Sequence, residues 1–244
     1  MRSRDIDKIY SQALGKIVDF RFDEQVAKVF PDMINRSVPG YASIIQMIGT
    51  LADQYAQSDS NCYDLGCSLG AASLSIRHHL KAPNCRIISV DNSQPMLDRF
   101  QSLLEEDSAD TPVELMCADV RDVDIHKASL VVLNFTLQFV PLADRQRLIN
   151  KIFAGMLPGG ILVLSEKISF DDPNKQQMLT DLHHAFKRSQ GYSDLEISQK
   201  RTALENVLIP ETLDAHISRL TQAGFQQSHM WFQCFNFMSL VAVR

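Results

Sequence analysis

Two hydrophobic periodicities alternate along most of the chain. Short, nearly continuous apolar runs such as Leu130-Val131-Val132-Leu133 indicate strands that are buried on both faces. Between these runs, apolar residues recur every three or four positions, which predicts amphipathic helices. The predicted strands cover residues 61–65, 86–91, 113–117, 130–135 and 161–166, and the predicted helices cover 71–80, 94–104 and 143–156. This alternation predicts an α/β fold whose sheet is mostly parallel and has helices on both faces.

Two segments with helical spacing precede the first strand. Residues 22–36 carry apolar side chains at helical intervals, but Pro31 interrupts them, so we expect the helix to start at Pro31 or to break there. The turn signal Pro39-Gly40 precedes a second predicted helix at 41–55. We expect both helices to flank or cover the sheet.

The chain after the fifth strand divides into a polar segment and a return to the sheet. Residues 170–208 are polar with a helical pattern, and Gly191-Tyr192 marks a break. An insertion of this length is more often functional, or a packing arm, than a structureless linker. A helix at 213–223 and strands at 227–235 and 237–243 then predict an antiparallel hairpin at the sheet edge.

Composition and charge exclude several classes of protein. No run approaches the ~20 apolar residues that span a bilayer, and no apolar segment follows the charged N-terminus. We therefore expect no membrane partner, no signal peptide and a cytoplasmic location. The formal net charge of −5 and the absence of a basic run make nucleic acid an unfavourable direct partner. The five cysteines include no CxxC pair, so we expect no metal site and no disulfide, and small buried side chains at positions such as Cys117.

A glycine-containing loop follows the first predicted strand, in Asp64-Leu65-Gly66-Cys67-Ser68-Leu69-Gly70. A ligand that lies across the carboxyl edge of a parallel sheet needs nearby backbone without bulky side chains, which Gly66 and Gly70 supply. The N–H groups at the start of the following helix would face such a ligand. Glycines also serve tight strand–helix turns, so the loop by itself leaves both interpretations open.

Asp91 ends the second predicted strand and lies about 20 residues after the glycine loop, where an acidic residue accepts the hydroxyls of a ribose. The alternative is a helix cap, because Asp91-Asn92-Ser93 is also good capping chemistry. The ribose role is favoured by the glycine loop, and the two roles can divide between Asp91 and Ser93.

Two more polar residues follow the third and fourth strands. Asp119 can accept the exocyclic amine of adenine while Val120 covers the ring, although Asp119 is equally interpretable as a loop residue. Asn134 closes a strongly apolar strand and needs a hydrogen-bond partner there. It stands where the reacting end of a nucleoside ligand should lie, and the alternative is an amide satisfied by neighbouring backbone.

A dinucleotide-dependent oxidoreductase would share the glycine loop and the acid after the second strand. The second acidic position and the edge hairpin are instead typical of S-adenosylmethionine-dependent methyltransferases, which the chain resembles over residues 60–244. One departure is Ser68, which stands where that loop usually has its middle glycine. We therefore predict a single Rossmann-like domain over 1–244. Its parts are an N-terminal helical flank (1–58), a nucleotide-binding core (59–169), a helical insertion (170–208) and a C-terminal helix and hairpin (209–244).

Several runs support a more specific resemblance, to the bacterial carboxy-S-adenosyl-L-methionine synthases. These runs are Phe30-Pro31-Asp32-Met33-Ile34, Ser37-Val38-Pro39-Gly40-Tyr41, Tyr63 to Ala71, Val131 to Phe139, Leu195-Glu196-Ile197-Ser198-Gln199-Lys200-Arg201 and Trp231 to Phe237. The resemblance implies transfer of a carboxylate derived from prephenate onto the methyl carbon of S-adenosylmethionine, with phenylpyruvate as the second product. It also implies that carboxy-S-adenosylmethionine can stay bound as product, and that it supplies a separate enzyme that modifies the wobble uridine of tRNA.

The same resemblance implies the ligand contacts. They are Tyr41, Gly66, Cys67, Ser68, Asp91, Asn92, Asp119, Val120, Asn134 and Arg201. We expect Arg201 to be catalytic, because a guanidinium disfavours the cationic sulfonium but can pair with a newly formed carboxylate. From its polar surroundings alone, Arg201 would be a solvated surface residue.

The resemblance leaves other features of the reaction open. No general base stands out, and in this family the departing hydroxyl of prephenate is proposed to take the methyl proton. Candidates to line the prephenate pocket are Phe22, Tyr41, Tyr192 and Arg201. We expect no metal and a homodimer. The alternatives are a methyltransferase for a small acid or for tRNA, and a non-catalytic carrier or sensor of S-adenosylmethionine.

Overall fold

The computed structural model describes residues 5–244, and a mixed sheet forms its centre. The strands are β1 (Asn61–Leu65), β2 (Arg86–Asp91), β3 (Val113–Cys117), β4 (Ala128–Asn134), β5 (Met156–Ser169), β6 (Glu211–Thr212), β7 (Gln227–Cys234) and β8 (Phe237–Val243). Their order is β3-β2-β1-β4-β5-β8-β7, and the short β6 pairs with β5 outside that path. Strands β1 to β5 are parallel, whereas β8 and β7 are antiparallel. The predicted parallel sheet with an antiparallel edge hairpin is therefore confirmed.

Helices cover both faces of this sheet. They are α1 (Glu24–Ser37), α2 (Tyr41–Tyr55), α3 (Ala71–His79), α4 (Gln94–Glu106), α5 (Leu142–Gly155), α6 (Pro173–Ser189), α7 (Asp194–Leu204) and α8 (Leu213–Ala223), with a short 3₁₀ turn at Leu137–Phe139. Val131 and Leu133 of β4 pack into the core that includes α5 and α8. Leu130 and Val132, on the opposite face, pack into the core that includes α2 and α3. The continuous apolar run of β4 thus reflects burial on both sides.

The first helix runs through Pro31 without interruption, so the prediction that it starts or breaks there is wrong. Its N-terminus lies earlier, where the side chain of Asp23 accepts a hydrogen bond of 3.0 Å from Val26 N. Proline removes one backbone donor and crowds the preceding turn. Helix α1 tolerates this cost because its apolar face, including Val26 and Met33, is buried in a separate core cluster.

The insertion forms two helices that pack against the N-terminal part of the chain. The break between α6 and α7 falls at Gly191, whose φ of 87° is left-handed. Arg36 at the end of α1 donates from Nε to the carbonyl oxygen of Gln190 at 2.8 Å. Its guanidinium also stacks over the ring of Tyr192, 3.9 Å from the centroid. The insertion is therefore tied to α1.

Two smaller differences from the sequence expectations concern the length of β5 and the exposure of one cysteine. Strand β5 runs well beyond the predicted limits of 161–166. Cys117 is exposed, contrary to the expectation that the cysteines are buried, because it ends β3 at the edge of the sheet. Within residues 5–244, no helix combines the length and apolarity needed to cross a bilayer.

A substitution of Gly70 should test how closely the loop after β1 packs. Gly70 has a left-handed φ of 78°, and a Cβ at this position would overlap the ring of Phe100. We expect Gly70→Ala to reduce the free energy of unfolding by roughly 2–5 kcal/mol, measured by urea denaturation. Gly15→Ala is the matched control, since a Cβ there has nothing within 4 Å. Equal midpoints for the two variants would contradict the close packing.

Candidate active site

A cavity of about 370 Å³ opens at the carboxyl edge of the parallel strands. The ends of β1, β2 and β4 form its floor, and β1 and β4 lie side by side in the sheet although they are not consecutive in the chain. Ligands of open α/β sheets bind where the strand order reverses in this way. Residues of α1, α2, α6 and α7 close the cavity above this edge.

The glycine loop is held to the neighbouring strand by its backbone. Gly66 N and Cys67 N both donate to the carbonyl oxygen of Val90, at 2.8 and 2.9 Å. Ser68 adopts a left-handed φ of 51°, and its N–H donates to Asp91 Oδ2 at 2.8 Å. The serine thus keeps a backbone shape suited to the glycine it replaces. Gly66, Cys67 and Ser68 all line the cavity, as predicted.

Of the two roles that the sequence left open between Asp91 and Ser93, the capping role belongs to Ser93. Ser93 is the N-cap residue of α4, and its hydroxyl accepts a hydrogen bond from Met96 N at 3.4 Å. Asp91 lines the cavity together with Asn92, and burial raises the pKa of its carboxyl group. Its two oxygens accept the N–H groups of Ser68 and Ser93, which leaves each oxygen a further lone pair for a ligand donor.

Asp119 and Val120 form the wall beyond β3, and both line the cavity. Arg121 binds the Asp119 carboxylate through Nε and Nη2 at 3.0 and 2.8 Å, and these bonds lower the pKa of Asp119. Asp119 therefore stays ionised in a fixed orientation. A carboxylate held in this way can still accept a hydrogen bond from an amine of a ligand.

The segment after β4 contains a buried acceptor without a partner. Asn134 lines the cavity, and its Oδ1 has no hydrogen-bond partner among the described residues. The turn that follows is held by Glu166, which accepts Leu137 N at 2.8 Å and Gln138 N at 2.9 Å. Burial raises the pKa of Glu166 to about 8. Glu166 was not predicted from the sequence, because a single acid within a strand carries no distinct signal.

A cationic region, which was not predicted from the sequence, forms the other end of the cavity. Lys167, Lys187 and Lys200 all line this end. Burial lowers the pKa of Lys187 to about 7 and that of Lys200 to about 8. The sequence carries one signal for the position of Lys187. This residue lies four positions after His183, so the two side chains share one face of the helix.

Two residues expected near the substrate lie elsewhere. Arg201 is exposed on α7 and is not among the residues that line the cavity. Tyr192 is buried beside the cavity, where its hydroxyl donates to Asp7 Oδ2 at 2.5 Å. Phe22 and Tyr41 do line the cavity, as expected. Nine of the ten predicted ligand contacts therefore surround one cavity, and Arg201 is the exception.

Comparisons with known proteins identify the fold to which this cavity belongs. A family model described as a methyltransferase domain matches residues 63–160. Human N-acetylserotonin methyltransferase, solved in complex with SAM, is similar with a TM-score of 0.60 and 14% identity, covering 91% of this chain and 55% of that chain. An O-methyltransferase family protein from Burkholderia thailandensis has a TM-score of 0.63 and 14% identity, covering 91% and 60%. At these identities the likeness concerns the fold.

The chain thus has the fold of the methyltransferase class. Carboxy-S-adenosyl-L-methionine synthase from Citrifermentans bemidjiense is 59% identical over 243 residues, 99% of this chain and 100% of that protein. The synthase from Geobacter metallireducens is 60% identical over 239 residues, 98% of each chain. The chain belongs to the carboxy-S-adenosyl-L-methionine synthase family. Within residues 5–244, no group of three His, Cys, Asp or Glu side chains is arranged to hold a metal ion.

Asp91→Ala should weaken the binding of S-adenosylmethionine by about 1.5–3 kcal/mol, the range for hydrogen bonds to a charged group. Isothermal titration calorimetry measures the change. Ser93→Ala is the matched control, because it removes the α4 cap and should lower the melting temperature while leaving the affinity within about twofold. Unchanged affinity in a folded Asp91→Ala protein would mean that Asp91 serves only the loop backbone.

Proposed function

We propose that the protein converts S-adenosylmethionine and prephenate into carboxy-S-adenosylmethionine and phenylpyruvate. The observation that carries the proposal is the division of a single cavity into two chemically distinct ends. One end presents the acceptors Asp91 and Asn134, which suit a nucleoside with an amino-acid tail, and the other presents buried lysines beside aromatic rings. A small anionic ring compound fits the second end, and a tRNA does not.

The reaction balances with these two substrates alone. The bond between the ring and its carboxylate breaks, and the ring expels its hydroxyl group as it becomes aromatic. The departing hydroxide takes one proton from the methyl group of S-adenosylmethionine and leaves as water. The carbon dioxide unit then forms a new carbon–carbon bond to that methyl carbon. The protein needs no general base of its own for this sequence, and we propose that no metal takes part.

The nucleoside end would hold S-adenosylmethionine by charge and shape. Asp91 would accept the ribose hydroxyls, and Asp119 the adenine amine beside Val120. The unpartnered Oδ1 of Asn134 would accept the amino group of the methionine part, since a buried acceptor without a donor is costly. These contacts would bring the reacting methyl group close to the substrate and make the reaction effectively unimolecular.

Aromatic side chains would surround the ring of prephenate and exclude water. Phe22 packs edge-to-face on Phe139 with ring centroids 5.3 Å apart, and both line the cavity. Tyr41 and Phe135 line its other wall, with centroids 6.4 Å apart. A dry, apolar surface protects a reactive carbon dioxide unit from the solvent.

We further propose that the protein acts as a homodimer, which would give Arg201 access to a cavity. Arg201 is exposed on α7, so it cannot face the cavity of its own chain in this arrangement. Exposed apolar residues also lie on α6 and α7, the two helices of the insertion, and they include Met178, Leu182 and Leu195. A second copy that covers this surface would carry its own Arg201 toward the partner's product carboxylate.

We also propose where the product is used and where the protein acts. The product would supply a separate enzyme that modifies the wobble uridine of tRNA, and the protein would act in the cytoplasm without binding RNA itself. The net charge of −5 supports the last point, because tRNA binding needs a basic surface.

The decisive measurement is the mass of the nucleoside product. Purified protein incubated with S-adenosylmethionine and prephenate should yield a nucleoside heavier than S-adenosylmethionine by one carbon dioxide unit, together with phenylpyruvate in equal amount. Mass spectrometry of the reaction detects both. Formation of S-adenosylhomocysteine instead would indicate a methyltransferase, and tight binding of S-adenosylmethionine without turnover would indicate a carrier or sensor.

Arg201→Ala should cost roughly 2–5 kcal/mol in affinity for carboxy-S-adenosylmethionine, the range for removing one partner of a buried charge pair. Binding of S-adenosylmethionine should change little, and Arg201→Lys should recover only part of the loss because an ammonium lacks the planar fork. Competitive binding of the two nucleosides measures the difference. Arg188→Ala, which alters another exposed arginine of the insertion, is the control. Equal losses for both nucleosides would show that Arg201 supports the fold.

A further inference from the structure

Three ammonium groups from three different elements meet at one end of the cavity. Lys167 belongs to β5, Lys187 to α6 and Lys200 to α7. Lys187 and Lys200 are only 8% and 6% exposed, and Lys167 is partly buried. Burial, followed by repulsion from Lys200 and Lys167, lowers the pKa of Lys187.

Lys200 has a carboxylate partner within the chain. Its Nζ donates to Ser37 Oγ at 3.1 Å and lies 3.7 Å from Asp7 Oδ2. The same Asp7 oxygen also accepts the hydroxyl of Tyr192. The Asp7 carboxylate is thus already engaged by two donors, and the ion pair of Arg36 and Asp32 adds one charge of each sign nearby.

Lys167 and Lys187 have no such partner. Within residues 5–244, neither side chain forms an ion pair or a side-chain hydrogen bond. The adjacent His183 adds no negative charge, since burial lowers its pKa to about 3 and its neutral ring donates from Nε2 to the carbonyl oxygen of Ser37 at 2.8 Å. A buried ammonium group without a partner is costly, and the fall in the pKa of Lys187 to about 7 reflects that cost. The arrangement therefore indicates an anion that binds between these lysines.

A row of aromatic rings connects this cluster to the nucleoside end. Phe135, directly after Asn134, lies 5.9 Å from Phe237 between ring centroids. Phe237 in turn lies 4.8 Å from the ring of His183, one helical turn before Lys187. A ligand with an apolar ring and an anionic arm can lie along this row, with its ring near the reacting methyl group and its anion at the lysines.

The chemistry of the proposed reaction selects which carboxylate the lysines hold. The carboxylate that is transferred loses its charge as it becomes carbon dioxide. Fixed cations against it would stabilise the bound substrate more than the transition state and would slow the reaction. The 2-oxo acid carboxylate stays ionised throughout and remains in phenylpyruvate, so cations can hold it without raising the barrier.

We propose that Lys187, together with Lys167 and Lys200, binds the 2-oxo acid carboxylate of the substrate, the carboxylate that is not transferred. This inference rests on the proposed function for the identity of the substrate. It makes Lys187 a binding residue whose contact is equally strong in the substrate complex and in the transition state. Loss of such a contact raises KM and leaves kcat nearly unchanged.

Lys187→Met tests the proposal, since methionine keeps most of the length of the side chain and removes the charge. We expect KM for prephenate and the Kd of phenylpyruvate to rise roughly 10- to 150-fold, as for loss of a hydrogen bond to a charged group. The kcat and the Kd of S-adenosylmethionine should stay within about threefold. Lys187→Arg should retain most of the phenylpyruvate affinity. Lys175→Met, on the exposed part of the same helix, is the matched control.

A second readout separates binding from folding. Without ligand, Lys187→Met should melt at a higher temperature than the wild type, because it removes a desolvated charge. Phenylpyruvate should raise the melting temperature of the wild type and of Lys175→Met, and that of Lys187→Met much less. Should Lys187→Met fail to fold, Lys167→Met probes the same cluster.

Two results would overturn the proposal. One is unchanged phenylpyruvate affinity in folded Lys187→Met. The other is a fall in kcat at unchanged KM, which would place the lysine against the carboxylate that is transferred. The calorimetric titration with phenylpyruvate needs no turnover. If the wild type bound phenylpyruvate through Lys187 but formed no carboxylated nucleoside, the proposed function would fail and the anion site would stand.

Discussion

Buried carboxylates that accept backbone N–H groups hold the loops from which the cavity is built. Asp64 accepts the N–H of Ser73 at the start of α3, Asp91 fixes the loop between β1 and α3, and Glu166 fixes the turn after β4. A buried carboxylate is costly unless it is well hydrogen-bonded. Here the hydrogen bonds that offset this cost also determine the shape of backbone that would approach a ligand closely. These loops are therefore rigid, since a displaced loop would leave its buried carboxylate without hydrogen-bond donors.

The distribution of charge in the cavity follows from these carboxylates and from the insertion. The end of the cavity that we propose for the nucleoside carries Asp91 and Asp119, and the opposite end carries Lys187 and Lys200. S-adenosylmethionine is cationic at its sulfonium, and the proposed second substrate is a dianion. The field inside the cavity would therefore orient the two molecules in opposite directions. Helices α6 and α7 supply Lys187 and Lys200, so the insertion after β5 provides two of the three lysines at the positive end.

Periodicity predicted the sheet and its helices well, because buried strands and amphipathic helices have strong local signals. The position of Asp91 and Asn134 at the cavity was also predictable, since both stand at strand ends that a parallel sheet gathers at one edge. The continuation of helix α1 through Pro31 was not predictable, because burial of its apolar face outweighs the local effect of the proline. The lysine cluster was missed for a related reason. Lys187 and Lys200 lie in a polar segment whose pattern predicts a solvated surface, and it is the packing of that segment in the folded chain that buries them.

The contrast between Lys200 and Arg201 shows this limit in a single pair of neighbours. Adjacent side chains on a helix point about 100° apart, so the phase of α7 decides which of two cations enters the cavity. Ser37 and Asp7 bind Lys200 and set that phase, and Arg201 consequently faces outward. Neither contact partner is close to α7 in the sequence. Local pattern therefore cannot choose between the two cations.

The same phase gives the two cations different tasks in the proposed reaction. A lysine fixed inside the cavity suits an anion that keeps its charge from substrate to product. The new carboxylate forms on the methyl carbon. It would pair better with a cation that does not also contact the carboxylate leaving the ring of the substrate. Arg201, placed outside its own cavity and brought to another by a second copy, would satisfy that condition. Homodimer formation and catalysis would then be coupled through the orientation of one helix.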